Sequence, residues 1–387
     1  MKNTMIAMIL VGGKGTRLGE ITSETAKPAV SFGAKYRLID FALSNLTNSN
    51  IDTCGIVTQY EPFDLMYYIG SGRSWDLDFI DGGIRFLTPF SRKKDVLWQR
   101  GTAHAVKQYF HFIKSYKARY VLILSGDHIY KMDYQNMLKH HIQNKSEVTI
   151  AANYVDPKEA SRFGIFETDD QNHILGFEEK PSEPKSNLAS MGIYIFSVDV
   201  LEEILGKASD DDIDFGKNII PKCIENNKVV SVYKFDGYWK DVGTIKSLYD
   251  SNMDLLDNPD FLGLNSSKNN PVYSKSLNLN PHVMLEKGRA IKSVIADGCL
   301  INGEVIHSSI AYSCIIESGT KIINSVILPS VTIGHDCFLQ NVIVNKDIII
   351  PDNYRCETED LILISETNML EVGGIYEWFI YDNWCNK

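Results

Sequence analysis

The chain has 387 residues, 44% hydrophobic and 23% charged, with a net charge of −10 and a pI near 5.4. That length allows two or three domains with large cores, and the composition is ordinary for a globular protein. The acidic balance argues against general affinity for nucleic acid or an anionic membrane, so any phosphate site has to be a local basic pocket.

The seven cysteines (Cys54, Cys223, Cys299, Cys314, Cys337, Cys356 and Cys385) make no C-x-x-C pair. They read as scattered buried thiols in a reducing cytoplasm. No signal peptide is read ahead of the first strand, and no apolar run is long enough to span a membrane. A cytoplasmic location without membrane partners is expected.

Met5 to Val11 is continuously apolar, which predicts a strand buried on both faces. It runs into Gly12-Gly13-Lys14-Gly15-Thr16-Arg17-Leu18. Glycines let the backbone turn tightly and bring N–H groups close to an anion. Arg17 adds a planar fork of donors, while Lys14 and Lys27 add point charges. A loop of bare amides ringed by cations suits a triphosphate. It is not the dinucleotide fingerprint, whose third glycine would fall on Leu18, nor the Walker loop, since the order here is Gly-Lys-Gly-Thr. Taken alone, the three glycines favour a plain turn after a buried strand. Ala26-Lys27-Pro28-Ala29-Val30 follows shortly after.

Asp52 to Thr58 predicts a second strand. Trp75 to Arg100 is irregular and predicts a long mobile loop over the site, with Ser91-Arg92-Lys93-Lys94-Asp95 as a solvated face. Ala105 to Ser115 sets Val106, Tyr109, Phe110 and Ile113 on one side of an amphipathic helix, as core. Tyr120 to Ser125 and Val148 to Tyr154 predict further buried strands. Strands alternating with helices imply a mostly parallel sheet covered on both faces, with ligands beyond the carboxyl ends of the strands. The glycine loop and Gly126-Asp127-His128 both fall there. Asp127 is either a turn residue or a magnesium ligand, and magnesium wants more than one hard oxygen. Asp241, between an aromatic pair and Gly243, is a second carboxylate, but spacing alone does not pair the two.

Asn258-Pro259 and Asn265 to Pro271 read as linker. Beyond it aliphatic residues recur six apart: Ile295 and Ile301; Ile310, Ile316 and Ile322; Ile327, Ile333 and Leu339; Ile343 and Ile349. A hexapeptide period marks a left-handed parallel β-helix. The register slips more than once, as a β-sandwich would also produce. Such a coil leaves an open end and sides suited to packing on another subunit.

GGxGTRL followed by AKPAV is the signature of sugar-phosphate nucleotidylyltransferases. Lys35 to Phe41 (KYRLIDF), Ser125 to Tyr134 (SGDHIYKMDY), Glu159 to Gly164 (EASRFG), Glu178 to Pro181 (EEKP), Leu188 to Tyr194 (LASMGIY), Asp214 to Lys217 (DFGK) and the stretch around Asp241 follow in order. Over nearly the whole chain this set resembles the glucose-1-phosphate adenylyltransferase family. The resemblance implies a Rossmann-like α/β nucleotidyltransferase domain over residues 1–257. It implies a linker over 258–280, then a left-handed β-helix domain with a C-terminal tail over 281–387. The implied reaction moves the adenylyl group of ATP to α-D-glucose 1-phosphate, giving ADP-glucose and pyrophosphate for glycogen or another α-glucan. Asp127 and Asp241 would hold Mg2+. Arg17 and Lys27 would stabilise charge on the nucleotide phosphates, beside a loop of Gly12, Gly13, Gly15 and Thr16, with Gly101 and Thr102. Lys180 would grip the sugar phosphate, and Glu179, Ser190, Gly164 and Gln99 would line the sugar side. Family members are usually homotetramers, and some pair with a non-catalytic homologous subunit. The other readings are such a regulatory subunit, which lacks parts of the glycine loop and the GDH aspartate, and a relative using another nucleoside triphosphate.

Two departures stand out. The family usually has Tyr where this chain has Gln99, which can hydrogen-bond but not stack. Members activated by sugar bisphosphates carry basic residues just before the AKP motif, where this chain has Glu24 and Thr25. Repulsion from Glu24 predicts weak or absent activation by fructose bisphosphate, though Lys35 and Arg37 remain available to an anionic inhibitor.

Overall fold

The computed structural model describes residues 4–13, 15–59, 62–89, 91–92, 95–96, 99–168, 174–209, 211–260 and 270–372. Strands β1 (Met5–Val11), β2 (Thr53–Thr58), β3 (Gly83–Leu87) and β4 (Tyr120–Ser125) lie in the order β3-β2-β1-β4, all parallel. In β1 the residues Met5, Ala7, Ile9 and Val11 enter the core on one face, and Ile6 and Met8 enter the core on the other. The continuous apolar run thus has its physical reason, because neither face meets water. A short strand, β5 (His128–Tyr130), follows β4 but lies outside this sheet.

The other half of the sheet holds β6 (Val148–Tyr154), β7 (Gly164–Thr168), β8 (Ile174–Glu179), β9 (Leu188–Ser197) and β10 (Val230–Lys234). Here β9 runs antiparallel to β4, β6 and β7, and β8 runs antiparallel to β7, while β10 is parallel to β6. The sheet is therefore mixed, with its parallel block at the glycine-loop end.

Two expectations need correction. β3 lies inside the stretch read as a long loop, parallel to β2, with Gly83 in a left-handed conformation at φ 69°. Gly82, Gly83 and Pro89 around it and Arg85 within it masked the strand in the sequence. Lys93, Lys94 and Trp98 of that stretch lie outside the described residues. The single helix over 105–115 is two pieces, α2 (Thr102–Gln108) and α3 (Phe110–Ser115), broken at Tyr109, whose φ and ψ are −105° and 18°. The Tyr109 hydroxyl donates to the Thr88 carbonyl at 2.6 Å. Val106 and Ile113 are buried as the pattern requires.

Residues 270–274 are bound to the α/β unit. Asn48 Nδ2 donates to the Pro271 carbonyl at 2.9 Å and Trp75 Nε1 to the Tyr273 carbonyl at 3.2 Å. Beyond lies a parallel β-helix. Its core is three aliphatic stacks: Ile301, Ile316, Ile333 and Ile350; Val305, Ile322, Leu339 and Cys356; Ile295, Ile310, Ile327 and Val344. From Ile310 the steps are six, six and five residues to Ile327, the next member of its own stack. The slips in the hexapeptide period are these shorter third sides, and the expected pair Ile343 and Ile349 is off by one, since Val344 and Ile350 take the stack positions and Ile349 is exposed. Left-handed residues form the corners in rows: His307, Asn324, Asn341; Ser313, Ser330, Asp347; Gly319, Asp336, Asn353. Most are short polar residues, which tolerate that conformation best. The aromatic tail from Gly373 to Lys387 lies outside the described residues.

An apolar cluster joins the two parts, with Leu18, Ile21, Phe32 and Phe41 packed with Val326, Leu328 and Ile343. Tyr249 donates to the Asn324 carbonyl at 2.8 Å and Lys346 Nζ to Thr25 Oγ1 at 2.9 Å. The six described cysteines are free and buried. No helix among the described residues is long and apolar enough to cross a membrane.

Asp40 sits in the first turn of α1 (Leu38–Asn48), fully buried, accepting from the Arg37 N–H at 2.9 Å and the Tyr68 hydroxyl at 2.9 Å. Burial outweighs these donors and lifts its pKa to about 7. The folded state therefore holds a proton that the unfolded state releases near pH 4, and stability falls as pH rises from about 4 to 7. Asp40→Asn removes that fall. Denaturant melts at pH 5 and pH 8 should show the variant gaining roughly 2–4 kcal/mol on wild type over that interval.

Candidate active site

The site forms where β1 and β4 end. After β1, Gly15 turns in the left-handed region at φ 63°, and its carbonyl accepts from the Thr22 hydroxyl at 2.9 Å. Thr16 and Arg17 are exposed beyond it, and no neighbour comes within 4 Å of where a Gly13 side chain would start. Lys14 lies outside the described residues. Ala26 to Val30 then make one tight turn, with Ala29 N–H to the Ala26 carbonyl at 2.8 Å and Val30 N–H to the Lys27 carbonyl at 3.1 Å. Pro28 favours this turn by fixing its own φ. The turn delivers Lys27 inward.

After β4, Gly126 lets the chain pass Ile39 and Ile9, which a side chain would meet at 2.8 and 3.0 Å. Asp127 follows. Asp241 arrives on β11 (Trp239–Asp241), which pairs antiparallel with β5 so that Asp241 faces His128. This ribbon joins two carboxylates that sequence spacing left unconnected. Lys27 Nζ lies 2.6 Å from Asp127 Oδ2 and 3.1 Å from Asp241 Oδ1. His128 Nε2 is 3.6 Å from Asp127 Oδ1 and 3.7 Å from Asp241 Oδ1. Ser125 donates to Asp127, and Trp239 Nε1 to His128 Nδ1 at 3.4 Å. Burial alone would push the Asp127 carboxyl up, but the Lys27 ammonium and His128 hold it well below the usual range. Burial likewise disfavours charged Lys27, and the two carboxylates reverse this and raise its pKa. The cluster is a bound ammonium between two ionised acids.

The second group sits on β7 and β8. Gly164 pairs with Glu179, and a side chain at Gly164 would meet Glu179 Oε2 at 2.7 Å. Burial raises the Glu179 pKa, and Lys180, 3.5 Å away, opposes it. Lys180 is a non-glycine residue at φ 51°, its N–H bonded to the Phe163 carbonyl at 2.9 Å. Ser190, on β9, accepts from the Gly192 N–H at 3.3 Å, one residue past the Ala189–Ile165 pair. Phe163 packs against Trp239 with ring centres 5.2 Å apart and planes tilted by 55°, and Trp239 reaches His128. One continuous set of contacts thus runs from Lys180 to Asp127.

The family model described as "Nucleotidyl transferase" matches residues 6–258, and "GlmU-like, C-terminal hexapeptide" matches residues 281–360. Curated proteins named glucose-1-phosphate adenylyltransferase are similar over 94% of this chain and 99% of their own length. Those of Bacillus cereus, Bacillus cytotoxicus and Bacillus anthracis are 46%, 47% and 45% identical to it. The chain belongs to the glucose-1-phosphate adenylyltransferase family.

Nucleotidyl transferases of this kind use a divalent metal. Asp127, His128 and Asp241 offer ligand atoms within 4.8 Å of one another. Two carboxylates with room for phosphate and water suit a hard cation. The indole N–H can only donate, so His128 Nδ1 accepts, and Nε2 carries the proton and faces the carboxylates. His128 and Trp239 had no role in the sequence reading. Their positions beside Asp127 and Asp241 in the motifs were the available signal.

Three more of the expected site residues have their own protein contacts. Gln99 Oε1 lies 3.5 Å from where a Gly12 side chain would begin, and its Nε2 points to the Thr58 carbonyl at 3.4 Å. It stands beside the glycine loop. The Thr102 hydroxyl donates to Asp214 at 3.1 Å and accepts from the Phe215 N–H at 3.0 Å. Gly101 gives the close approach to the Ile213 carbonyl, 2.4 Å from where its side chain would stand. Both tie α2 to the DFGK turn. Arg37 pairs with Asp64 at 2.9 Å and stacks on Tyr68 at 4.2 Å, Thr25 is buried and Glu24 exposed.

Proposed function

We propose that this chain joins ATP and α-D-glucose 1-phosphate to give ADP-glucose and pyrophosphate, the precursor step of glycogen or α-glucan synthesis. The observation that carries the reading is the Asp127–Lys27–Asp241 cluster beside the glycine loop, linked through His128, Trp239 and Phe163 to the Glu179–Lys180 wall. Phosphoryl-type transfer needs positioning and charge neutralisation more than covalent help. Mg2+ is the metal we assign to Asp127 and Asp241; when bound it would neutralise phosphate charge and orient the two substrates. Arg17 and Lys27 bind and neutralise the nucleotide phosphates and the departing pyrophosphate. Glu179 accepts from glucose hydroxyls, and Lys180 takes the sugar phosphate. The backbone at Gly12, Gly13, Gly15 and Thr16 supplies amides to the nucleotide. We place the enzyme in the cytoplasm, as the free buried thiols suit, and assign it the homotetramer usual in the family.

Pyrophosphate release with glucose 1-phosphate and each of ATP, UTP, GTP and dTTP tests this. ATP should support turnover at least about tenfold faster than the others, a difference near 1.4 kcal/mol. No turnover with any of them would indicate a non-catalytic subunit, and preference for another triphosphate would move the chain to a related transferase.

A further inference from the structure

The segment Glu159 to Gly164 has so far supplied Phe163 and Gly164, and Arg162 within it has one guanidinium nitrogen left unsatisfied. Its Nη1 donates to Glu159 Oε1 at 2.8 Å, and the guanidinium lies 5.6 Å from the centre of the Phe163 ring. Its Nη2 is shut off from solvent and has no hydrogen-bond partner among the described residues. A buried donor without an acceptor costs about 1–3 kcal/mol, so the direction it faces is informative.

It faces Gly243. The point where a Gly243 side chain would begin lies 3.4 Å from Arg162 Nη2, 3.4 Å from Arg17 Nη2 and 3.2 Å from Asp241 Oδ2. The two guanidinium nitrogens are therefore within twice 3.4 Å of each other, across a position with no side chain. Two cations so close repel unless an anion lies between them. Asp241 Oδ2 borders the same point, but no ion pair joins Asp241 to either arginine among the described residues, and its Oδ1 is committed to Lys27. A tetrahedral phosphoryl group, with oxygens on opposite sides, fits such a pincer, and guanidinium forks are the side chains best suited to it. The next residue, Phe163, carries the carbonyl that holds the Lys180 N–H, and Gly164 adjoins Glu179. Arg162 thus approaches from the sugar side and Arg17 from the nucleotide side.

We propose that Arg162 is a further substrate-binding residue, closing with Arg17 on the phosphate of the hexose 1-phosphate beside Gly243. The inference rests on the adenylyl-transfer reading for the identity of the sugar phosphate, but not for the anion pincer itself. Nη1 stays on Glu159, so the free nitrogen is oriented before substrate arrives. Lys180, whose side chain is 55% exposed, contributes a point charge at the outer edge.

The test is Arg162→Gln, which removes the fork at nearly constant size. The KM for glucose 1-phosphate should rise at least about tenfold while the KM for ATP stays within about threefold. A role confined to the Glu159 turn would lower Tm and move both KM values together, and that result, or an unchanged KM for glucose 1-phosphate, overturns the proposal. Calorimetric titration of wild type and variant with inorganic phosphate needs no turnover. Wild type should bind it at least about tenfold more tightly, and equal binding overturns the pincer even if no triphosphate is turned over. Should Arg162→Gln not fold, Arg162→Lys keeps charge and length without the fork, and a severalfold rise in the same KM is expected.

Discussion

Asp127→Asn will lower turnover at least about a thousandfold while leaving the far-ultraviolet circular dichroism unchanged. The cluster holds two negative charges and one positive, since Asp127 is ionised far below neutral pH and Lys27 is charged. Its net charge of about −1 is what attracts a divalent cation. Asparagine keeps the shape and one acceptor but leaves the cluster neutral, so both the attraction and a ligand oxygen are lost. The fold survives because Lys27 keeps Asp241 at 3.1 Å and is not left as an uncompensated buried charge. The cost to stability should then be about 1–2 kcal/mol, well below that of a fully orphaned ion. Pyrophosphate release and a thermal melt check both halves. Turnover within tenfold of wild type would remove the metal assignment. Asp241→Asn should behave alike, and the double variant should be little slower than either, because groups acting as one unit do not add.

How much of this was legible follows from where each signal lies along the chain. The glycine loop and β1 are local, so Met5 to Leu18 declared both a strand and an anion-binding turn. The β-helix was legible because its stacks repeat, and its slips are the five-residue third side from Ile322 to Ile327. The pairing of Asp127 with Asp241 was not legible from residues, since it depends on register between β5 and β11. The contact of Gln99 with Gly12 was hidden for the same kind of reason. It bridges two strand ends, and a motif position alone carries no such information. β3 was hidden because Arg85 interrupts its short apolar run and Gly82, Gly83 and Pro89 flank it as they would a loop. Arg162 was visible as a letter in EASRFG, but an unpaired nitrogen appears only once its neighbours are in place.

Lys27→Met should act in opposite directions on turnover and on cation binding. Turnover should fall by about a hundredfold to a thousandfold, the usual loss when a donor aimed at developing negative charge is removed. The affinity of the free protein for Mn2+, measured by electron paramagnetic resonance without nucleotide, should rise at least tenfold. The ammonium stands 2.6 and 3.1 Å from the same two carboxylates that a metal requires, so it competes for them directly. Removing it takes the cluster from about −1 to −2. Even strongly screened, one unit charge at such range is worth more than about 1.4 kcal/mol, which is the tenfold. The fold should respond with the same sign. Without metal, two buried carboxylates repel with nothing between them, and the variant melts below wild type. Added Mn2+ should raise its Tm by more than it raises that of wild type, because the cation then takes the vacated position. Lys27→Arg keeps the charge and should show no such gain. Equal Mn2+ affinity in Lys27→Met and wild type would mean that the ammonium does not guard the carboxylate pair, and that the metal is held somewhere other than between Asp127 and Asp241.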